Sequence, residues 1–256
     1  MTPLPASGLL AMMRIVAWNC NMALERKVEA LLDLRPDIAV ISECARPDLL
    51  RARSPGDWLP DDPIWIGNNP HKGLAVLAFN GYRVRLCETY DANLRHIAPV
   101  HVEGPTPFTL LAAWVNSGGL RKYRLGPLRR ALTRYRDLLT ARPAVIAGDL
   151  NHNVIWDKPG WRGNHATAVR LMAEQGLVSA YHAVRGEAHG QETTPTIYWR
   201  DRTRDGPTYH IDYVFLPEAW IPHITSLHVG AFEPWCGAGL SDHVPVIVDV
   251  ADPAPC

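Results

Sequence analysis

The chain lacks the features that mark disulfide-stabilised, membrane-spanning and repetitive proteins. Its 256 residues contain five cysteines, an odd number without any C-x-x-C spacing, which argues against a disulfide scaffold or a zinc ribbon and favours a reducing compartment. No apolar run approaches the ~20 residues that a membrane-spanning helix needs. Residues 1–13 carry no basic segment of the kind that opens a secretory signal. We therefore expect a cytoplasmic protein without a membrane partner, and no obligate protein partner is evident.

The sequence also lacks an excess of charge of either sign. Lys plus Arg and Asp plus Glu number 26 each, so the net charge by itself indicates neither a nucleic acid nor a membrane surface. Apolar residues make up 47 % of the chain, which is enough for a substantial core. We predict one domain over residues 14–252, preceded by a disordered or wrongly assigned N-terminal extension over residues 1–13.

Strand and helix patterns alternate along the chain. Several apolar runs, such as residues 143–147, are nearly continuous, which predicts strands buried on both faces. A single basic helix is predicted over 127–140 from the spacing of its apolar residues. This mixture indicates an α/β protein in which sheets pack together and helices lie outside them.

Two further local patterns predict how the strands are connected. Residues 46–70 are rich in Pro, Asp and Asn, which predicts a loop. The pair Asn80-Gly81 predicts a tight turn that joins strands 73–79 and 82–87 into a hairpin.

Polar side chains recur at the points where apolar strands end. One by one they have ordinary explanations, because Asn and Asp are common in turns and a buried acid can be satisfied by backbone donors. Taken together, and in this order, they form a set of motifs that ordinary turns would not produce. The set consists of Asn19 and Asn21 in WNCN, Glu43 in ISEC, Asp149 and Asn151 in GDLN, Asp212 in HIDYVF, and Asp242 and His243 in SDHVP.

This order of motifs resembles the endonuclease/exonuclease/phosphatase family, which includes exonuclease III-like abasic-site endonucleases and DNase I-like nucleases. The resemblance extends from residue 14 to about residue 250. It implies a four-layer α/β sandwich, with two mixed β-sheets face to face and helices outside, and with the motifs meeting at one edge. It also implies a metal-dependent phosphoesterase.

Hydrolysis of a phosphodiester needs charge neutralisation, an aligned water molecule and help for the leaving oxygen. The resemblance implies that Mg²⁺ or Mn²⁺ supplies part of this, with Glu43 as the principal ligand. Asn19, Asn21 and Asp242 would lie beside the ion, directly or through water, because hard cations prefer oxygen ligands and retain waters.

The resemblance also implies the catalytic roles. Asp149 would orient and deprotonate the attacking water, and Asn151 would hold a phosphate oxygen or the nucleophile. His243 would donate a hydrogen bond to the scissile phosphate, and Asp212 would hold the other ring nitrogen.

One position departs from the family pattern. Trp114 stands where abasic-site endonucleases carry Tyr and DNase I relatives carry His, and an indole has one N–H donor but no ionisable group. Trp114 either lines the substrate site or packs in the core. Asn116 stands where those endonucleases place a phosphate-contacting Asn, although an ordinary turn residue is the alternative.

The substrate is indicated by weaker signals. A basic run extends from Arg121 to Arg136, and within it Arg129 and Arg130 are candidate contacts for a phosphate backbone, although a solvated helix face has the same pattern. Tryptophans in predicted loops could stack on bases. The sequence therefore favours a nuclease that acts on DNA or RNA. The alternatives are a phosphatase or phosphodiesterase of a small or lipid phosphate, and a catalytically impaired nucleic-acid-binding module.

Overall fold

The computed structural model of the chain describes residues 12–116, 126–161, 163–199 and 203–251. Within these ranges the helices are α1 (Val28–Asp33), α2 (Pro47–Arg53), α3 (Gly126–Arg134), α4 (Arg136–Thr140), α5 (His165–Ala173) and α6 (Ala180–Arg185). The strands are β1 (Met12–Asn19), β2 (Ile38–Cys44), β3 (Ile64–Asn69), β4 (Lys72–Ala78), β5 (Arg83–Leu86), β6 (Ile97–Glu103), β7 (Phe108–Trp114), β8 (Ala144–Asp149), β9 (Leu177–Ser179), β10 (Ile197–Tyr198), β11 (Thr208–Tyr209), β12 (Asp212–Pro217), β13 (Ile224–Val229) and β14 (Val246–Ala251).

The strands form two six-stranded sheets and a small ribbon of β10 and β11. The first sheet has the order β13-β14-β1-β2-β4-β3, and the second has the order β5-β6-β7-β8-β12-β9. Each sheet is mixed, because β1 runs parallel to β2 and β7 runs parallel to β8 while the other pairs are antiparallel.

Alternate side chains of the second sheet are buried in two separate cores. Leu110 and Val145 belong to the core that is shared with the first sheet. Their neighbours Leu111 and Ile146 pack with residues of α3 and α5 on the outer face. Strands that are buried on both faces explain the continuous apolar runs of the sequence. The predicted α/β sandwich, with two mixed sheets face to face and helices outside, is confirmed.

The predicted loop over residues 46–70 contains regular structure. It includes α2, whose Pro47 occupies the first turn, where the missing N–H of proline costs no hydrogen bond. It also includes β3, an edge strand that pairs with β4. The turn residues that suggested a loop lie between these two elements, at 54–63.

The predicted hairpin around Asn80-Gly81 is wrong. Both residues have positive φ, 53° and 85°, so the predicted turn is present. However, β4 belongs to the first sheet and β5 to the second, so the turn carries the chain from one sheet to the other. Asn80 is held by its side-chain amide, which donates to the Asp37 carboxylate at 2.8 Å. Turn chemistry specifies a local bend and cannot specify which strands pair.

The predicted helix over 127–140 is interrupted at Tyr135, which separates α3 from α4. Tyr135 is buried, and its hydroxyl accepts a hydrogen bond from the backbone N–H of Asp91 at 2.9 Å. The helical hydrogen bonds continue through this residue, from the Tyr135 N–H to the Ala131 carbonyl at 2.8 Å and from the Leu139 N–H to the Tyr135 carbonyl at 2.9 Å. Of the predicted basic run, Arg121, Lys122 and Arg124 lie outside the described residues.

In the described part of the chain no helix is both long and apolar enough to cross a bilayer. Cys20, Cys44, Cys87 and Cys236 are buried and free of disulfides.

The first strand, β1, begins at Met12, two residues before the predicted start of ordered structure at residue 14. Met12 pairs with Ala251 of β14.

Candidate active site

The sequence motifs meet at one edge of the two sheets because of the strand directions. The parallel strands β1 and β2 deliver Asn19 and Glu43 to this edge. The parallel strands β7 and β8 end together, with Trp114 paired to Asp149. The antiparallel strand β12 begins at the same edge, where Asp212 pairs with Asp149. Sheet topology therefore assembles residues that are far apart in sequence.

Asp149 is a buried carboxylate held by amide groups from two motifs. Its Oδ1 accepts the backbone N–H of Asn151 at 2.7 Å, and its Oδ2 accepts the side-chain amides of Asn151 and Asn19, both at 3.0 Å. The turn requires a left-handed conformation at Asn151, with φ of 51°, which Asn tolerates better than most residues. These three amide hydrogen bonds fix the orientation of the carboxylate.

His243 and Asp212 form a buried pair beside Asp149. The ring Nδ1 of His243 lies 2.8 Å from Asp212 Oδ2. The Thr196 hydroxyl oxygen accepts the backbone N–H groups of Ile211 and Asp212, at 2.9 and 3.0 Å, and so fixes the start of β12. Ligand atoms of His243, Asp212 and Asp149 lie within 4.8 Å of one another. The hydrogen bond between His243 and Asp212 uses Nδ1 and Oδ2, and the second carboxylate oxygen of Asp212, Oδ1, is buried without a hydrogen-bond partner in the described structure.

The three buried groups perturb one another electrostatically. Burial raises the pKa of Asp149 well above its usual range, and the nearby Asp212 carboxylate raises it further, against the opposing effect of His243 and the Asn19 amide. Burial opposes the charged form of His243, but the Asp212 carboxylate, assisted by Asp149, raises the pKa of His243 well above its usual range. The imidazolium is therefore favoured, with Nδ1 donating to Asp212 and Nε2 left as a donor toward an anion.

Glu43 occupies a strand irregularity at the rim of the site. The register between β2 and β4 shifts between Ile41 and Cys44, and Glu43 has a φ of 59°. Its Oε2 lies 2.9 Å from the ammonium of Lys72, whose Nζ also lies 5.4 Å from the centre of the Trp114 ring. Sequence reasoning missed Lys72, because only the register of β4 against β2 brings it to this edge.

The other predicted metal ligands lie around the same edge. The Asn19 Oδ1 accepts the backbone N–H of Asn21 at 3.0 Å. Asn21 opens a turn of three residues with positive φ, and the Lys27 ammonium donates to the carbonyls of Cys20, Asn21 and Met22 across this turn. Asp242 is half-buried, and its backbone carbonyl accepts the N–H of Tyr198 at 2.8 Å.

The donor chemistry at this edge suits a hard divalent cation. Lys72 engages Oε2 of Glu43, which leaves Oε1 for an ion, and amide oxygens and a second carboxylate lie on neighbouring motifs. Among the residues that the structure describes, Glu43 belongs to no group of three close carboxylate, imidazole or thiol ligands. A carboxylate with neighbouring amide oxygens is a donor set that suits Mg²⁺, which usually takes one or two carboxylates and keeps several waters.

Two residues that were not predicted as site residues hold the His243 backbone in place. The Ser241 hydroxyl donates to the Asn19 carbonyl at 2.7 Å and accepts the N–H of His243 at 3.0 Å. The Trp18 indole donates to the His243 carbonyl at 3.2 Å. Ser241 belongs to the motif SDHVP and Trp18 to the motif WNCN. Their position next to the predicted site residues was the sequence signal that could have identified them.

A cavity of about 250 Å³ lies on the side of the site where β7 ends. Trp114, Asn116, Arg95 and Arg130 line it, whereas Arg129 is not among its lining residues. Trp114 is buried, and its ring packs against His96 with 4.5 Å between the ring centres. Trp114 therefore borders the site as well as packing in the core.

A larger cavity of about 550 Å³ lies on the opposite side, next to Asn151. Its aromatic lining consists of Trp156, Trp199 and Tyr209, and the Trp156 and Tyr209 rings meet edge to face at 4.7 Å. By contrast, Trp58 and Trp65 donate their indole N–H groups to backbone carbonyls of Ser54 and Cys44, and serve packing.

Comparison with known proteins defines the fold. No model of a known protein family matches the sequence, and no curated protein does. Among solved structures, the chain has the fold of endonuclease/exonuclease/phosphatase proteins, so the resemblance seen in the sequence motifs is confirmed at the level of the fold.

Three of these structures illustrate the likeness. An endonuclease/exonuclease/phosphatase from Beutenbergia cavernae has 20 % identity and a TM-score of 0.63, covering 94 % of this chain and 71 % of that one. A 3′–5′ exonuclease from Neisseria meningitidis has 18 % identity and a TM-score of 0.66, with 93 % and 99 % covered. An AP endonuclease from Archaeoglobus fulgidus has 16 % identity and a TM-score of 0.63, with 92 % and 98 % covered.

Proposed function

We propose that this protein is a divalent-metal-dependent phosphodiester hydrolase, and specifically a nuclease that acts on DNA or RNA. The observation that carries the proposal is the meeting of the His243–Asp212 pair with the amide-held Asp149 at one sheet edge, between a cationic and an aromatic cavity. The names of structural neighbours, an AP endonuclease and a 3′–5′ exonuclease, support the same class.

Each buried group suits one part of the reaction. Asp149, with its raised pKa, orients a water molecule and accepts its proton as the water attacks phosphorus. The His243 imidazolium donates from Nε2 to a phosphate oxygen, where negative charge develops in the transition state. Asp212 keeps the ring oriented and charged through Nδ1. Asn151 supplies an uncharged amide donor next to the attacked phosphate.

Glu43 would hold Mg²⁺ or Mn²⁺ through Oε1, with Asn19, Asn21 and Asp242 contributing directly or through water. A bound ion of this kind supplies Lewis-acid stabilisation of phosphate charge and of the leaving oxygen. Lys72 holds the carboxylate at the rim through Oε2 and adds a positive charge beside Trp114. Trp114 has no ionisable group, so this position contributes packing and at most an N–H donor.

The two cavities favour a polymeric substrate over a small ester. Arg95 and Arg130 line the smaller cavity and could neutralise phosphates that flank the scissile bond. The aromatic walls of the larger cavity present flat apolar surfaces for a base or sugar. The proposed location is the cytoplasm, on the evidence of an odd number of cysteines without C-x-x-C spacing.

Hydrolysis of a substrate panel tests the proposal. The panel contains single- and double-stranded DNA, an abasic-site duplex, RNA and several small phosphate esters, each with Mg²⁺, with Mn²⁺ or with EDTA. We expect a polynucleotide to be cleaved with either ion, and neither in EDTA nor by the Glu43→Ala variant. Turnover of small esters with inert polynucleotides would replace the nuclease proposal by a phosphatase or phosphodiesterase. Inertness toward everything, with nucleic acid still bound, would favour a catalytically impaired binding module.

Arg130 should contribute more than its neighbours on α3 to polynucleotide binding. The Arg130→Gln variant removes a cation from the smaller cavity, so binding should weaken and the slope of log K against log salt should fall by about 1. Arg134→Gln is the matched control, because Arg134 is exposed at the far end of the same helix. Fluorescence anisotropy at several salt concentrations, without metal, measures the affinity of each variant and the slope of its salt dependence. Equal effects from the two variants would mean that the cavity does not receive the phosphate backbone.

A further inference from the structure

A second group of ligand-type side chains lies outside the proposed active site. His182 on α6 and His189 and Glu192 in the following loop bring ligand atoms within 4.8 Å of one another. His182 and Glu192 are already close, with 3.1 Å between Nε2 and Oε1. The His189 ring stacks on the His182 ring with 3.6 Å between their centres. None of these residues takes part in the reaction proposed above.

Neighbouring groups orient this cluster as they would orient metal ligands. The Nδ1 of His182 lies 2.7 Å from the Ser179 hydroxyl, which leaves Nε2 directed at the cluster. The Glu192 Oε2 accepts the backbone N–H of Gly190 at 2.9 Å and the Asn153 amide at 3.1 Å, so Oε1 faces His182. Hydrogen bonds to the atom that does not bind the metal are the usual support of histidine and carboxylate ligands.

Buried ring nitrogens without a hydrogen-bond partner in the described structure lie in the cluster and beside it. The Nδ1 of His189 has no hydrogen-bond partner there, and neither ring nitrogen of the fully buried His165, which lies 5.3 Å away between ring centres, has one. Buried polar atoms without partners are rare and call for a ligand, an ion or water.

We propose that His182, His189 and Glu192 bind a divalent first-row transition ion, with Zn²⁺ as the best match. Two imidazole nitrogens and one carboxylate oxygen are a common zinc ligand set, with water in the fourth position, whereas Mg²⁺ prefers oxygen alone. Tetrahedral zinc holds its ligand atoms about 3.3 Å apart. His182 and Glu192 already lie 3.1 Å apart, whereas the His189 ring must turn out of its stack on His182 to bind, because the lone pair of an imidazole nitrogen lies in the ring plane.

An ion at this position would stabilise the backbone beneath the proposed active site. The Asn153 amide that contacts Glu192 also donates to the His210 carbonyl at 3.0 Å. Asn153 follows Asn151 by two positions and His210 precedes Asp212 by two, so Glu192 is linked to both catalytic segments. The ion would therefore affect the proposed reaction only through the position of these segments.

Zinc binding to the untagged full-length chain tests the proposal. The protein is dialysed against a chelator and titrated with Zn²⁺ against a chromophoric competitor, with excess Mg²⁺ present to occupy the oxygen-rich site. We expect one tight equivalent and a rise in Tm of roughly 5 to 10 °C when free zinc is a hundredfold above Kd. The Glu43→Ala variant should keep this equivalent, which separates the two sites.

Two variants of the cluster and one matched control complete the experiment. His189→Ala and Glu192→Gln should each lose the tight equivalent and the zinc-dependent rise in Tm. His228→Ala, which removes an exposed histidine on β13, should keep both. Glu192→Gln retains hydrogen-bonding ability and so guards against loss of folding. Absence of the equivalent in the wild type, or its persistence in both cluster variants, would overturn the proposal whatever the enzymatic activity.

Discussion

Replacing Asp149 by Asn should remove hydrolytic activity and at the same time raise the thermal stability of the metal-free protein. The carboxylate is buried, and its nearest charged neighbours include a second buried carboxylate, Asp212. Asn has the same shape without the charge, so the repulsion and the desolvation of an anion both disappear. Its NH2 group cannot accept the amide N–H groups that Asp149 Oδ2 accepts, but the loss of such hydrogen bonds, about 1 kcal/mol each, costs less than the relieved repulsion and desolvation contribute. The proton acceptor for the attacking water disappears as well.

Activity on the best substrate of the panel should fall by about 10²–10⁴-fold, as expected for loss of a positioned general base. Tm in EDTA should rise by roughly 3 to 6 °C. EDTA is essential, because a bound cation would offset the repulsion that the substitution relieves. Differential scanning fluorimetry and initial rates, measured on the same preparations, give both values.

Asp249→Asn is the matched control, since Asp249 is also a buried acid but has a cation as partner. Its carboxylate forms a two-point ion pair with Arg14, at 2.6 and 2.8 Å, far from the active-site edge. This variant should have a lower Tm, and it should keep its activity at temperatures below its unfolding transition. If Asp149→Asn were instead destabilising and active, Asp149 would be a structural acid like Asp249, and the proposed catalytic role would be wrong.

The fold and the meeting of the motifs at one sheet edge were predicted from their resemblance to the endonuclease/exonuclease/phosphatase family, and the structure supplies the physical reason. The parallel strands β1 and β2 end at the same side of their sheet, which brings Asn19 and Glu43 to one edge. The resemblance also implied that Asp212 holds the His243 ring, and the two side chains lie 2.8 Å apart. The roles assigned to these residues stay predictions until variants are measured.

What the sequence could not provide depends on contacts between distant segments. Lys72 reaches Glu43 only through the register of β4 on β2, and nothing local distinguishes it from an ordinary surface lysine. The Asn80-Gly81 turn has the predicted conformation, but the strands on its two sides belong to different sheets. Which tryptophans border the site is likewise set by tertiary packing, so Trp156 could not be separated from Trp58 in advance.

Gly148, the first residue of the GDLN motif, should be the position where the smallest possible substitution has the largest effect on folding. It has a φ of +133°, and a Cβ added there would lie 1.9 Å from the Ala113 carbonyl oxygen. Ala113 is its partner in the parallel pairing of β7 with β8, so the obstacle is backbone within a sheet and cannot rotate away.

Gly148→Ala should therefore lower the free energy of unfolding by more than about 3 kcal/mol, and Tm by roughly 10 °C. Gly176→Ala is the control, because Gly176 also has a positive φ, +73°, but a Cβ there meets nothing within 4 Å, so its cost should be near 1–2 kcal/mol. Urea unfolding gives both values. In any Gly148→Ala protein that folds, the strand shift would also displace Asp149, and activity should fall further than stability explains. Equal costs for the two variants would mean that β7 and β8 separate easily, in which case the close pairing of these strands does not position Asp149.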